Sequence, residues 1–325
     1  LKIAFSLKKM GNIMITITVV VTTYRRPKDL ERCLEGLKRQ TRLADEVVVV
    51  ARDTDTATWA FLESYNRENL PLRTATVITP GAIAAANVGL DEATGNIISF
   101  IDDDAVPRND WLASIEPYFL SDERVGGVGG RDFMYQENQL IEGSRKVVGR
   151  VQWFGRTIGN HHLGVGGPRE VDVLKGVNMS FLRSAITNRH FDRLMRGASA
   201  QIHFEIEFCL ALKQAGWKLI YDPAIAVDHY LGKRFDEDQR NKFNKVALIN
   251  IVHNETLALL KHLSPLRQVI FLIWAVLVGT REGRGIVQWL RFLSSEGSLA
   301  WQKLIASLQG RWQGWQTWRR GSSMG

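Results

Sequence analysis

The chain has 325 residues, 45% hydrophobic and 23% charged, an ordinary globular composition that excludes a disordered protein and leaves room for about two domains. Lysine and arginine number 42 against 34 acidic residues, a net charge of +8, which suits an anionic partner such as nucleotide phosphates, nucleic acid or an acidic membrane surface. The two cysteines, Cys33 and Cys209, form neither a metal spacing nor a disulfide framework, so a reducing cytoplasmic setting is expected. Residues 1–13 mix lysines with short apolar pieces, lack a secretory h-region and read as a flexible N-terminal segment. Residues 14–22, rich in Ile, Val and Thr, predict a buried strand that ends at Thr23-Tyr24-Arg25-Arg26-Pro27. Pro27 then opens a helix with Leu30, Cys33, Leu34 and Leu37 on its apolar face. A second strand over 46–50 exits into the polar turn Ala51-Arg52-Asp53-Thr54-Asp55-Thr56, and a helix over 57–66 follows. Residues 73–78 predict a third strand, 83–93 a helix and 97–101 a fourth strand. This alternation predicts an α/β fold whose parallel sheet is covered on both faces. No Gly-x-Gly-x-x-Gly follows the first strand, which argues against a dinucleotide dehydrogenase.

Three consecutive carboxylates, Asp102, Asp103 and Asp104, follow the fourth strand and lead into Ala105-Val106-Pro107 instead of a helix start. Ligands of open α/β sheets bind outside the carboxyl ends of the strands. Negative charge concentrated there is costly unless a cation or dense hydrogen bonding offsets it. The triplet therefore points to a metal and a diphosphate, with a solvated acidic turn as the alternative.

From residue 15 to 233 the chain resembles the family 2 glycosyltransferases with the GT-A fold. The resemblance rests on Val19-Val20-Val21-Thr22-Thr23-Tyr24-Arg25-Arg26-Pro27, on Asn87-Val88-Gly89, and on Gly95-Asn96-Ile97-Ile98-Ser99-Phe100-Ile101-Asp102-Asp103-Asp104. It continues through Leu174-Lys175-Gly176-Val177-Asn178-Met179-Ser180-Phe181 and Ala215-Gly216-Trp217-Lys218-Leu219-Ile220-Tyr221-Asp222-Pro223. The order and spacing of these segments make the match specific. It implies a mostly parallel nucleotide-binding sheet flanked by helices, with residues 14–107 as the nucleotide half, 108–235 as the acceptor half, and 236–325 as a helical extension.

The resemblance also assigns roles. Asp104 is similar to the direct metal ligand of the Asp-x-Asp motif, Asp102 to its partner toward ribose and metal, and Asp103 to a third member beside the nucleotide sugar. Thr22, Tyr24 and Arg26 stand where the family cradles base and phosphate, though Tyr24 also fits a half-buried structural ring. Asn87 belongs to the nucleotide-sugar set. The family's base-contacting acid after the second strand is missing, since Ala51 and Arg52 stand there, and Asp53 is its displaced candidate. An inverting transfer needs a base for the acceptor hydroxyl, and in His203-Phe204-Glu205-Ile206-Glu207 the register favours Glu205 over Glu207 or a salt-bridge role. His229 matches a histidine some members use near metal or diphosphate, against a structural reading. Val125-Gly126-Gly127-Val128-Gly129-Gly130, before Arg131 and Asp132, resembles a glycine-rich turn. His161-His162 diverge as neighbours and are left outside the site.

The implied cofactor is Mg²⁺ or Mn²⁺, and the implied partners are a nucleotide-diphosphate sugar and a glycan or lipid-linked acceptor. A non-catalytic sugar-nucleotide-binding or scaffold protein on the same fold is the alternative. The absence of Gln-x-x-Arg-Trp disfavours a processive polymer synthase. Scattered basic residues without a recognisable motif argue against nucleic acid. Residues 269–278 are apolar, bracketed by Arg267 and Arg281, and short of the roughly twenty residues a membrane span needs. Trp289, Trp301, Trp312, Trp315 and Trp318 lie among Lys303, Arg311, Arg319 and Arg320, the last three tryptophans on one helical face. That pattern suits an anionic membrane surface, with packing on the catalytic domain as the alternative. The expected location is peripheral, on the cytoplasmic face of the inner (plasma) membrane.

Overall fold

The computed structural model describes residues 15–198, 200–235, 238–239 and 242–322. The expected flexible segment over 1–13 lies outside the described residues. Strand β1 (Ile17–Thr23) is a β-branched run, and its alternate residues are buried on opposite faces of the sheet. Val19 and Val21 join a core with Leu30, Leu34 and Leu37 of helix α1 (Pro27–Lys38). Val20 joins the opposite core with Val48 and Val50 of β2 (Glu46–Arg52). Helix α2 (Thr56–Ser64) is capped by the buried Asp55, which accepts from Thr58 N–H at 3.2 Å. β3 (Leu72–Val77) follows, then α3 (Ala82–Glu92), β4 (Ile97–Asp102) and β5 (Ala105–Pro107). At Gly89 a Cβ would lie 2.3 Å from Val20 Cγ1, so the missing side chain lets α3 sit close against the sheet.

The second half supplies α4 (Trp111–Ser121), β6 (Val125–Gln136), β7 (Gln139–Leu140), β8 (Arg150–Val151), β9 (Thr157–Ile158), β10 (Arg169–Val171), β11 (Asn178–Leu182), α5 (Phe204–Gln214) and β12 (Lys218–Tyr230). The main sheet runs β10-β12-β6-β11-β4-β1-β2-β3. β3, β2, β1 and β4 are mutually parallel. β11 enters antiparallel between β4 and β6, and β12 lies parallel to β6. Helices cover both faces, as the sequence predicts. The run from Val125 to Gly130 is not a turn but the first half of β6. Its glycines are dictated by packing: a Cβ would meet Leu219 Cδ2 at 2.7 Å from Gly127 and the Ile225 carbonyl oxygen at 1.6 Å from Gly130.

Four helices end the described chain: α6 (Lys245–His262), α7 (Pro265–Leu277), α8 (Ile286–Glu296) and α9 (Ser298–Ser322). Leu257, Leu259 and Leu260 of α6 and Phe271 of α7 belong to the same core as α3 and α5, and Trp315 and Trp318 pack against it. Of the two alternatives for the last three tryptophans, packing on the rest of the chain holds for Trp315 and Trp318. Trp312 is exposed, while Trp315 and Trp318 are half-buried because α9 lies along α6. None of the described helices is long and apolar enough to cross a membrane.

Candidate active site

The acid triplet gains its surroundings from a strand pairing remote in sequence. β5 runs antiparallel to β12 with Ala105 opposite His229, and Tyr230 N–H donates to the Asp104 carbonyl at 2.8 Å. The His229 ring thereby sits beside the carboxyl end of β4. Its Nε2 lies 3.3 Å from Asp104 Oδ1 and its Nδ1 3.4 Å from Asp132 Oδ2. Burial alone would lower the imidazole's pKa, but the two carboxylates outweigh it and hold the ring's pKa at about 9. Asp132, on β6, also pairs with Lys175. Burial pushes its carboxyl up, and Lys175 and His229 bring it down to about 2.

The three aspartates do different things. Asp104 is almost fully buried and points into the cleft, where it accepts from Gly232 N–H at 2.8 Å and from Arg26 Nη1 at 2.9 Å. Burial opposes its ionisation, but His229 and Arg26 hold it below the usual carboxylate range. Asp102 is half-buried, and burial together with the neighbouring Asp104 raises its pKa. Asp103 does not line the cleft. It is fully buried, accepts from Thr23 Oγ1 at 2.7 Å and forms a two-pronged pair with Arg26, at 2.5 and 3.1 Å. Burial raises it to about 7 against the pull of Arg26. Its local task is to hold the guanidinium that reaches Asp104, so its expected place beside the nucleotide sugar is corrected.

These groups open into a cleft of about 760 Å³ at the carboxyl ends of β1, β2 and β4. Thr22, Tyr24, Arg26, Asp102, Asp104, Glu205 and His229 all line it. Glu205 comes from the first turn of α5, where burial raises its pKa above the ordinary glutamate range. Glu207 points elsewhere and pairs with His262 at 3.2 Å. Tyr24 meets Phe235 edge-on at 5.9 Å between ring centres. Two expected members fall outside. Asp53 is more than a third exposed and pairs with Arg52 at 2.9 Å, and it is Arg52 that lines the cleft. Asn87, on the buried side of α3, donates to and accepts from the Phe191 backbone at 2.9 and 2.8 Å, a structural clamp. His161, left outside the site, is buried with Nε2 2.9 Å from the Val173 carbonyl.

Sequence reasoning missed Lys175 and Gly232. Lys175 lies inside the segment 174–181 and lines the cleft beside Asp132. At Gly232 a Cβ would come within 2.6 Å of Arg26 Nη1 and 2.9 Å of Asp104 Oδ2. No spacing rule announces either.

The residues present fit a divalent cation. Asp102, Asp104 and His229 each offer a ligand atom, and these atoms lie within 4.8 Å of one another. Two carboxylate oxygens suit Mn²⁺ or Mg²⁺, and an imidazole beside them is a ligand that a transition ion accepts more readily than Mg²⁺. Asp132, on the far ring nitrogen of His229, is placed to hold the Nδ1 proton, so that a cation taking Nε2 would displace only the proton on that side.

Residues 18–185 match the sequence profile described as glycosyl transferase family 2. Among curated relatives, the pre-mycofactocin glycosyltransferase of Mycobacterium tuberculosis is 30% identical over 153 residues, 46% of this chain and 30% of the relative. The succinoglycan biosynthesis protein ExoM of Rhizobium meliloti is 32% identical over 110 residues, 33% of this chain and 35% of the relative. These matched stretches thus span about a third of each curated relative's length. Among solved structures, the mannosyltransferase PcManGT of Pyrobaculum calidifontis, in complex with GDP-Man and Mn²⁺, aligns over 95% of this chain and 92% of its own at TM-score 0.54 and 17% identity. Residues 1–349 of S. aureus TarS, with UDP-GlcNAc, align over 94% and 92% at TM-score 0.58 and 14% identity. The fold is that of the GT-A enzymes, and over more than half its length the chain carries the sequence pattern: it belongs to glycosyl transferase family 2.

Proposed function

We propose that the protein is an inverting, metal-dependent glycosyltransferase that moves a sugar from a nucleotide-diphosphate donor to a hydroxyl acceptor. The convergence of Asp102, Asp104 and His229 with Glu205 in one cleft supports this reading most directly. A Mg²⁺ or Mn²⁺ ion held by Asp104, Asp102 and His229 would neutralise the departing diphosphate. Arg26 and Lys175 add positive charge along the same cleft, and Thr22 and Tyr24 flank the donor. Glu205 takes the proton of the acceptor hydroxyl onto its carboxylate as the oxygen attacks the anomeric carbon. Its raised pKa makes it a stronger base than an exposed glutamate. One displacement opposite the leaving group inverts the anomeric centre.

The donor class is in keeping with the GDP-Man and UDP-GlcNAc complexes of the structural neighbours. A glycan or lipid-linked acceptor in cell-surface polysaccharide synthesis accords with the relative named for succinoglycan biosynthesis. In this reading the protein sits peripherally on the cytoplasmic face of the membrane, through its C-terminal helices. The test is nucleotide release with Mn²⁺ across UDP-, GDP- and dTDP-sugars, for the unaltered protein, Glu205→Gln and Asp104→Asn. Turnover of one donor class, lost in both variants, is the expected result. Donor binding without turnover in the unaltered protein would leave a nucleotide-sugar-binding scaffold instead.

A further inference from the structure

The C-terminal helices carry a surface that the catalytic cleft does not use. On α7, Leu266, Val269, Ile273 and Leu277 recur at helical spacing, and each is half or more exposed. On α8, Val287 and Leu290 are equally exposed, and none of the α8 residues is buried. Apolar stripes on successive helices are more than the scattered surface leucines of a monomer.

Beside this surface lies a second cavity, of about 490 Å³, between the β8–β9 hairpin and the α7–α8 turn. Its lining follows the exposed stripe by one residue at each step: Trp274 after Ile273, Val278 after Leu277, Arg291 after Leu290. Arg156, Arg281 and Arg291 converge on it, and none of the three forms an ion pair among the described residues. Arg281 and Arg291 approach the Phe292 ring at 5.8 and 5.6 Å. The turn that presents Arg281 is firmly held. Gly279 bridges to Arg284, and the buried Arg284 is tied to Glu296 at 2.6 Å and, through its N–H, to Ser307 Oγ at 2.9 Å.

We infer that this face docks on an anionic lipid bilayer, with the α7–α8 side chains entering the acyl boundary and the three-arginine cavity taking a lipid phosphate. This deepens the peripheral placement proposed above and moves the contact from the α9 tryptophans to the α7–α8 face. The occupant follows from the chemistry. The exposed stripe is aliphatic and offers nothing for a nucleobase to stack on, the rings of Phe154, Trp274 and Phe292 being confined to the cavity lining. Guanidinium groups at the edge of an apolar stripe match phosphates at the edge of acyl chains, the arrangement of interfacial helices. The net charge of +8 adds attraction of the same sign.

The test is flotation of the full chain with vesicles of phosphatidylcholine alone and with phosphatidylglycerol added. Binding to the anionic vesicles only, weakened by salt, is expected. Arg281→Ala with Arg291→Ala should lower that partition by about 30-fold, roughly fivefold per arginine, and Ile273→Ser with Leu290→Ser should abolish it. Nucleotide release and the unfolding midpoint of the arginine pair should stay those of the unaltered protein, since both side chains are exposed and outside the cleft. Asp104→Asn should float like the unaltered protein, so failure of the catalytic reading and failure of this one are told apart. Equal binding to both vesicle types, unchanged partition in the arginine pair, or a concentration-dependent dimer dissolved by Ile273→Ser with Leu290→Ser would overturn it, the last by making the face a contact between two copies.

Discussion

At the carboxyl end of β4 and again among the C-terminal helices, buried arginines face carboxylates, and the two clusters differ in how their charge closes. In the helices Arg311 meets Glu255 at 2.7 Å and lies over the Phe271 ring, and Arg284 and Lys303 share Glu296 at 2.6 and 2.9 Å. Each acid there has its cation. At β4 the carboxylates of Asp102, Asp103, Asp104 and Asp132 are set against Arg26, Lys175 and the charged His229 ring, four acids to three cations. A balanced pair is scaffold. A surplus of buried negative charge, kept at the edge of a cleft, is a place where a cation lowers the energy of the whole group.

The sharpest way to break the comparison is to remove the proposed base that lines the same cleft as the β4 acids. Glu205→Gln should lower kcat by about 10²- to 10⁴-fold, with donor affinity in a nucleotide-competition assay unchanged. In the unaltered enzyme a base must be ionised, so kcat should fall as pH drops through the raised pKa of Glu205. That acid limb should lie above the ordinary glutamate range. A limb at the value of a free glutamate would assign the base elsewhere.

On the balanced side, Arg311→Leu leaves Glu255 buried without its partner and should cost about 3–5 kcal/mol in urea unfolding. Burial raises the Glu255 carboxyl, but Arg311 more than offsets it and holds its pKa below the usual value. The pair's stabilisation is thus present at neutral pH and lost as pH falls through that lowered pKa. Acid should therefore narrow the difference between Arg311→Leu and the unaltered protein. A smaller effect is expected from Asp132→Asn, which removes the orienting partner of His229. Mn²⁺ affinity by calorimetry should drop by about 10- to 100-fold, with secondary structure by circular dichroism intact. The least effect belongs to Trp312→Ala, whose ring is exposed on α9. Its unfolding free energy should stay within about 0.5 kcal/mol, whereas Phe271→Ala, fully buried under the same helices, should cost about 3–5 kcal/mol.

The parallel half of the sheet was legible in the chain because each signal there is local. β-branched runs, Pro27 and the spacing of Leu30, Cys33, Leu34 and Leu37 all act within a few residues. In the cleft only the acid triplet announces itself by its place after a strand; Thr22, Tyr24, Arg26, Glu205 and His229, which line it with Asp102 and Asp104, were pointed to by the family resemblance. What stayed hidden depends on contacts between distant segments. The β5–β12 pairing brings His229 to Asp104, and β6 brings Asp132 to His229. Lys175 and Gly232 gain their places only after those strands pair. Asp103 looks like its neighbours in sequence, but it sits in the turn between β4 and β5, which directs it inward to Thr23 and Arg26. Glycines read as a turn proved to be strand residues, because tight packing and tight turns select the same amino acid.

The central claim is that the surplus acids at β4 hold a divalent ion for a nucleotide's diphosphate. Calorimetric titration of Mn²⁺ into the protein, with and without a nucleoside diphosphate, addresses it most directly. The expected result is one Mn²⁺ per chain, bound more tightly with the nucleotide present, and lost in Asp104→Asn. Nucleotide binding that is the same with chelator, and the same in Asp104→Asn, would contradict it.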